Sequence, residues 1–144
     1  MKSLFQLWQS WAVLSAIFAA MTAILAKVGV DAIGSDLATF IRTAVVLMFA
    51  ALIVTLGKGF GEISTVPGRT WLFLVLSGFA TGASWLCYFR ALKLGDAARV
   101  APVDKMSVVF VAVFAVLFLG ERLSPQGTFG VVLIAAGAML VAWQ

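Results

Sequence analysis

Histidine is absent from this chain, and cysteine and tyrosine occur once each. Without imidazole there is no histidine acid/base chemistry and no histidine-ligated metal. The lone Cys87, set in an apolar run, excludes an intramolecular disulfide and a cysteine-rich metal site. Charge is scarce too. Asp, Glu, Lys and Arg make up 11% of the residues, against about 25% in an ordinary soluble domain. In their place, 63% of the chain is apolar, and 13 glycines add to that. So little polar material cannot cover an apolar surface in water. A soluble globular domain, a disordered chain, a collagen and a disulfide scaffold are all excluded. The net charge of +4 comes from ten Lys and Arg against six Asp and Glu. These are scattered singly, without the basic stripes that follow a phosphate backbone. No nucleic-acid partner, cofactor or metal is expected, and no enzyme pocket has a soluble domain to sit in. The composition is that of an all-α integral membrane protein.

A membrane-spanning helix needs about 20 largely apolar residues at 1.5 Å rise each. Five segments meet that test: Trp8 to Ala26, Leu37 to Leu56, Trp71 to Phe89, Ala97 to Leu119 and Pro125 to Trp143. Ser35 and Asp36 stand as candidate N-caps of the second, and Ser124 with Pro125 as cap and first residue of the fifth. The first segment is expected to be retained. Its uncharged stretch, Ser3 to Ala26, outruns the roughly 7–15 apolar residues of a cleaved signal. The longest connection, Gly57 to Thr70, holds glycines and a proline and reads as a surface loop. The chain, 1–144, is expected to form one transmembrane domain, with no repeat inside it. An odd number of crossings puts the two termini on opposite faces.

With the N-terminal face called side A, its loop cations are Lys2, Lys58, Arg69 and Arg122. Side B has Lys27, Arg90, Lys93 and Arg99, joined by Arg42 and Lys105 if charges inside helices are counted. The positive-inside rule acts on this difference, and the difference is small. Either side B is cytoplasmic, or the chain inserts both ways, as an antiparallel dimer of identical chains requires. Small residues allow close helix approach in lipid. Gly78 and Gly82 form a GxxxG spacing on the third span, and Ala12, Ala16 and Ala20 a ladder on the first. Packing within the monomer and packing against a partner are both open for these faces.

Three charges fall well inside spans, with Arg99 at the very start of the fourth. Arg42 is the sixth residue of the second span, and Asp104 lies about eight residues into the fourth, followed by Lys105. Arg42 and Asp104 are thus expected roughly 8–11 Å below the same face. Buried ionisable groups are costly and mark a pathway or an ion pair. Such a cluster could gate a cavity or bind the carboxylate or phosphate of a solute. Structural readings are open beside this one. A helix starting at Pro102 would place Asp104 in its favourable first turn, and Arg42 could snorkel outward along its stem. Trp85 and Tyr88 lie near side B on the third span. They read as an interfacial belt or, for Trp85 above all, as a cation–π wall of a cavity.

The stretch Tyr88-Phe-Arg-Ala-Leu-Lys-Leu-Gly95 precedes an apolar helix ending in Phe118-Leu-Gly120-Glu121-Arg122-Leu123, and Gly130-Val-Val-Leu-Ile-Ala-Ala-Gly137 closes the chain. Together they resemble the EamA domain of the drug/metabolite transporter superfamily, over nearly the whole sequence. Ala38-Thr-Phe-Ile-Arg42-Thr and Arg99-Val-Ala-Pro-Val-Asp104-Lys105-Met-Ser107 are similar to a small bacterial and archaeal group with one five-helix unit per chain. Most family members carry two units as an inverted repeat around a central cavity. The resemblance therefore implies a homodimer, most naturally antiparallel, that moves a small polar metabolite or drug-like solute across the inner membrane by alternating access. Arg42, Asp104 and Lys105 would shape the polar part of its site, with Trp85 as an aromatic wall. An accessory subunit, or half of a heterodimeric transporter or flippase, is the alternative. Two departures stand out. The first span lacks the acidic residue that the four-helix exporters of the superfamily use for proton coupling. Val108 stands where many EamA units carry proline midway along the fourth helix.

Overall fold

The computed structural model describes residues 8–57 and 59–143. Lys2 and Lys58 of the side A count, and the start of the uncharged stretch at Ser3, lie outside them. The described residues are helical, without a strand. Helix α1 is Trp8–Ala32, α2 is Ser35–Leu56, and α3 is Gly68–Leu94. A fourth span is built from α4, Ala97–Asp104, α5, Ser107–Phe114, and a π-helical turn, Ala115–Leu119. Helix α6, Pro125–Ala142, follows. By length and composition, five helical segments can cross a membrane. Helices are what lipid demands, because each backbone N–H and C=O must find its partner inside the segment.

Boundaries differ from expectation in instructive ways. Helix α1 continues beyond Ala26 to Ala32, so it does include an acid, Asp31. That carboxylate sits in the last turn and pairs with Lys27 at 3.3 Å. Helix α2 begins at Ser35 rather than Leu37, and its N-cap is Gly34. Ser35 and Asp36 therefore lie in the first turn, where an acid suits the positive end of the helix dipole. The stretch expected to be a plain loop contains a 3-10 helix, Gly59–Thr65. At α6 the expectation holds. The Ser124 hydroxyl accepts a hydrogen bond from the Gly127 N–H at 3.1 Å, and Pro125 opens the helix.

The chain divides into two compact units, one made of Leu25–Lys93 and the other of the segments on either side of it. In the central unit the core lies where the end of α1, the start of α2 and the end of α3 meet. Val30 and Leu92 are fully buried there, with Ala26, Ala38 and Phe89 around them. Buried Thr39 satisfies its hydroxyl on the Ser35 carbonyl one turn back, at 2.8 Å. Lysines lace the helix ends. The last carbonyls of a helix have no partner within it. Lys93 of α3 donates to the Val30 carbonyl at 3.1 Å and to that of Ile33, while Lys27 of α1 donates to Leu92 at 2.9 Å. Each ammonium thus closes the end of the other's helix and meets the negative pole of its dipole. Arg90 adds a pair with Asp36 at 3.3 Å.

In the flanking unit α6 packs on α4 and α5. Small Ala23 and Ala138 are its buried side chains. Arg99 of α4 closes the end of α6 through the Ala142 carbonyl, at 3.0 Å. Large apolar side chains face outward on every span; Phe79 is 72% exposed and Phe118 79%. In water such a surface would drive aggregation. Against lipid tails it costs nothing.

Candidate functional site

Arg42 is the eighth residue of α2, roughly 10 Å from the helix start. Helix α3 meets it with Trp85 and Phe89, one turn apart and so on one face. The Arg42 guanidinium carbon stands 3.9 Å from the centroid of the Trp85 ring and 5.6 Å from that of Phe89. Tyr88 meets the Phe89 ring edge-on, with centroids 6.4 Å apart. The snorkelling reading is not what the structure adopts. Phe89 is the ring nearer side B, and the guanidinium sits closer to the deeper Trp85. Trp85 likewise serves as a cation–π platform rather than only as a belt residue.

The energetics leave this arginine incompletely compensated. Placing Arg within a span costs about 2.5–3.5 kcal/mol on the insertion scale. A desolvated cation–π contact returns about 2 kcal/mol. The Arg42 Nη1 is sealed from solvent and has no hydrogen-bond partner, a deficit of about 1–3 kcal/mol for an N–H without an acceptor. The ring stacking offsets the insertion cost only in part. Such a group is an unmet donor, oriented by aromatic packing.

Asp104 and Lys105 belong to the flanking unit. Helix α4 starts at Ala97, with Asp96 as N-cap, so Pro102 lies inside it and does not begin the span. Asp104 is consequently the last residue of α4, not a first-turn acid. Pro102 cannot donate to the Ala98 carbonyl, and its ring crowds that turn. Just beyond it the ladder tightens. Met106 bonds back to Val103 at 3.0 Å and Val108 to Lys105 at 3.0 Å, i→i−3 contacts in place of i→i−4. The α-helical ladder of the span is therefore interrupted by a 3-10 turn at Lys105–Met106, about 13 Å from its start. The Lys105 ammonium takes the Asp104 carboxylate at 3.1 Å. With the lysine side chain 57% exposed, such a pair is worth about 0–1 kcal/mol. At its far end the span passes through the π turn and stops at Gly120, whose φ of 69° is left-handed. The Glu121 N–H returns to the Ala115 carbonyl there, at 3.1 Å.

Of the residues expected to act together, the structure joins Arg42 with Trp85 in the central unit and Asp104 with Lys105 in the flanking one. Phe89 was missed, although its i+4 spacing from Trp85 marks the same helix face. Gly78 and Gly82 lie in open surroundings. A Cβ built on either meets nothing within 4 Å. No group of three or more potential metal ligands occurs among the described residues.

Five apolar spans, with a cation stacked on tryptophan inside one of them, define a multi-pass integral membrane protein. The EamA-like transporter family matches residues 6–143, and the chain belongs to it. A bacterial inner membrane is the usual setting for this family. The chain is 64% identical over 137 residues to the "Uncharacterized transporter in cobO 3'region" of Sinorhizobium sp, covering 95% of this chain and 97% of that protein. It is 28% identical over 131 residues to the "Uncharacterized transporter YxxF" of Bacillus subtilis (strain 168). That match covers 90% of this chain but 40% of the relative. No solved structure matches significantly.

Proposed function

We propose that the chain is a single transmembrane unit, 1–144, which pairs with a second copy and moves a small polar solute by alternating access. The observation that carries the reading is the interruption of the fourth span at Lys105–Met106, bearing the Asp104–Lys105 pair. Irregular turns within a span are where transporters expose backbone and charge to a solute, and this one is a tightened 3-10 turn. The polar groups proposed to meet solute are Arg42, beside its aromatic wall Trp85, in the central unit, and Asp104 with Lys105 in the flanking one. Pairing with a second copy is supported by two features. The longer Bacillus relative leaves room for a second unit of this size beside the 40% that is matched. The near-equal loop cations on the two faces suit an antiparallel arrangement.

The test is solute exchange by the purified protein alone in liposomes. Wild type exchanges solute, whereas Asp104→Asn and Arg42→Ala stay folded and dimeric but lose flux. Normal flux in both variants refutes the site. If wild type exchanges solute only after a second membrane protein is added, the chain is half of a heteromer. A cysteine placed between residues 59 and 65, in a Cys87→Ala background, should be labelled from both faces of intact cells. Labelling from one face alone refutes the antiparallel pairing.

A further inference from the structure

The geometry points to Arg42 as an oxyanion site, and to the cargo as a small solute carrying a carboxylate or phosphate. This rests on the transporter reading and gives it a substrate class. The other cations at this end of the central unit are committed to oxygen. Lys27 holds the Leu92 carbonyl and Asp31, Lys93 holds Val30 and Ile33, and Arg90 holds Asp36. Arg42, deeper than any of them, lies among Trp85, Phe89 and Tyr88, and its Nη1 has no hydrogen-bond partner. A guanidinium presents its donors as a planar fork that matches a carboxylate or phosphate two bonds at a time. Trp85 and Phe89 hold that fork from the ring side with its Nη1 sealed from solvent, and the N–H groups meet an oxyanion when the guanidinium turns from the rings. The arrangement also selects against the opposite charge. An aromatic platform already occupied by a resident cation repels ammonium solutes, which would otherwise be drawn to the indole face.

The platform carries its own reporter. Trp8, Trp11, Trp71 and Trp143 are replaced by Phe, so that Trp85 emits alone, and the protein is held in an uncharged detergent. Sodium phosphate or succinate, at constant ionic strength, should change the emission saturably as the guanidinium turns from ring to oxyanion. Arg42→Gln should weaken the apparent affinity at least about tenfold, as expected for loss of a charge-assisted hydrogen bond. Arg42→Lys, which keeps the charge and loses the fork, should fall between and guards against a variant that fails to fold. Equal titrations in wild type and Arg42→Gln, or an equal response to tetraethylammonium, overturn the site. Vesicles of phosphatidylglycerol separate the two sources of phosphate: a response to them, with none to free phosphate or succinate, makes lipid the ligand and overturns the cargo assignment. In phosphatidylcholine liposomes, wild type should exchange labelled phosphate or succinate, and Arg42→Gln should not. Exchange of tetraethylammonium alone overturns the substrate class and leaves the transporter reading standing. Arg42-dependent binding with no flux of any probe upholds the site and counts against transport.

Discussion

Replacing Lys93 with Met removes one ammonium and keeps the stem that covers the helix. The Val30 and Ile33 carbonyls then lose their donor at the end of α1. A hydrogen bond to a charged group is worth about 1.5–3 kcal/mol net. The Val30 bond is partly buried and counts in full, while the exposed Ile33 bond adds about 0.5 kcal/mol. Loss of a cation at the negative pole of the helix adds about 0.5 kcal/mol more. The sum, about 2.5–4 kcal/mol, corresponds to a fall in Tm of roughly 5–16 °C for a chain of this size. Thermal unfolding of the purified protein in detergent, followed by tryptophan emission, measures it. Arg90→Gln is the control. Its pair with Asp36 has side chains 66% and 68% exposed, and such a pair is worth less than about 1 kcal/mol. Lys27→Met should resemble Lys93→Met, and the double variant should depart from additivity by at least about 0.5 kcal/mol, because both bonds join the same two helix ends. A Lys93→Met shift no larger than that of Arg90→Gln refutes the capping argument.

Three further outcomes are expected. Ser124→Ala should cost about 1 kcal/mol by removing the cap on Gly127, and Ser124→Asp should restore it; a Tm that ignores both changes refutes the cap. Gly120→Ala places a Cβ at a φ of 69° and should destabilise by about 1–2 kcal/mol, again read as Tm; an unchanged midpoint refutes the strain. Gly78→Leu and Gly82→Leu fill open space, so the monomer should keep its Tm while cross-linking in lipid shows loss of the paired copy. Persistence of the pair moves the proposed contact to another face.

The five spans were legible because lipid imposes a length and a composition, and both are visible residue by residue. The Ser124–Pro125 start of α6 was legible for a local reason: cap and proline act within three residues. The ends of α1 and α3 were harder. Their extra turns depend on Lys93 and Lys27 reaching across to carbonyls more than sixty positions away, and sequence alone does not show which helices are neighbours. The break at Lys105–Met106 had a visible cause in Pro102. Read as a helix start, that proline suggested a shorter span; read as an internal residue, it predicts the disrupted turn that follows. The stacking of Arg42 on Trp85 was accessible only as a pair of candidates, since their register across α2 and α3 is a tertiary fact. Phe89 then follows from Trp85 by helical spacing.

The lysine lacing carries a consequence for how this sequence can change its orientation in the membrane. Lys27, Lys93 and Arg99 are three of the four cations first counted at the side B ends of the spans, and each also closes a helix end. Deleting any of them to shift the topological balance uncaps a helix at the same time. Cations on side A carry no such double duty where the structure shows them: Arg69 rests on the Phe73 ring at 5.8 Å. On side B, Arg90, whose exposed pair with Asp36 closes no helix end, is the exception; otherwise mutation adjusts orientation freely by gain or loss on side A. Experiments that aim to flip the chain should add charge there, so that altered insertion is not mistaken for a weakened fold.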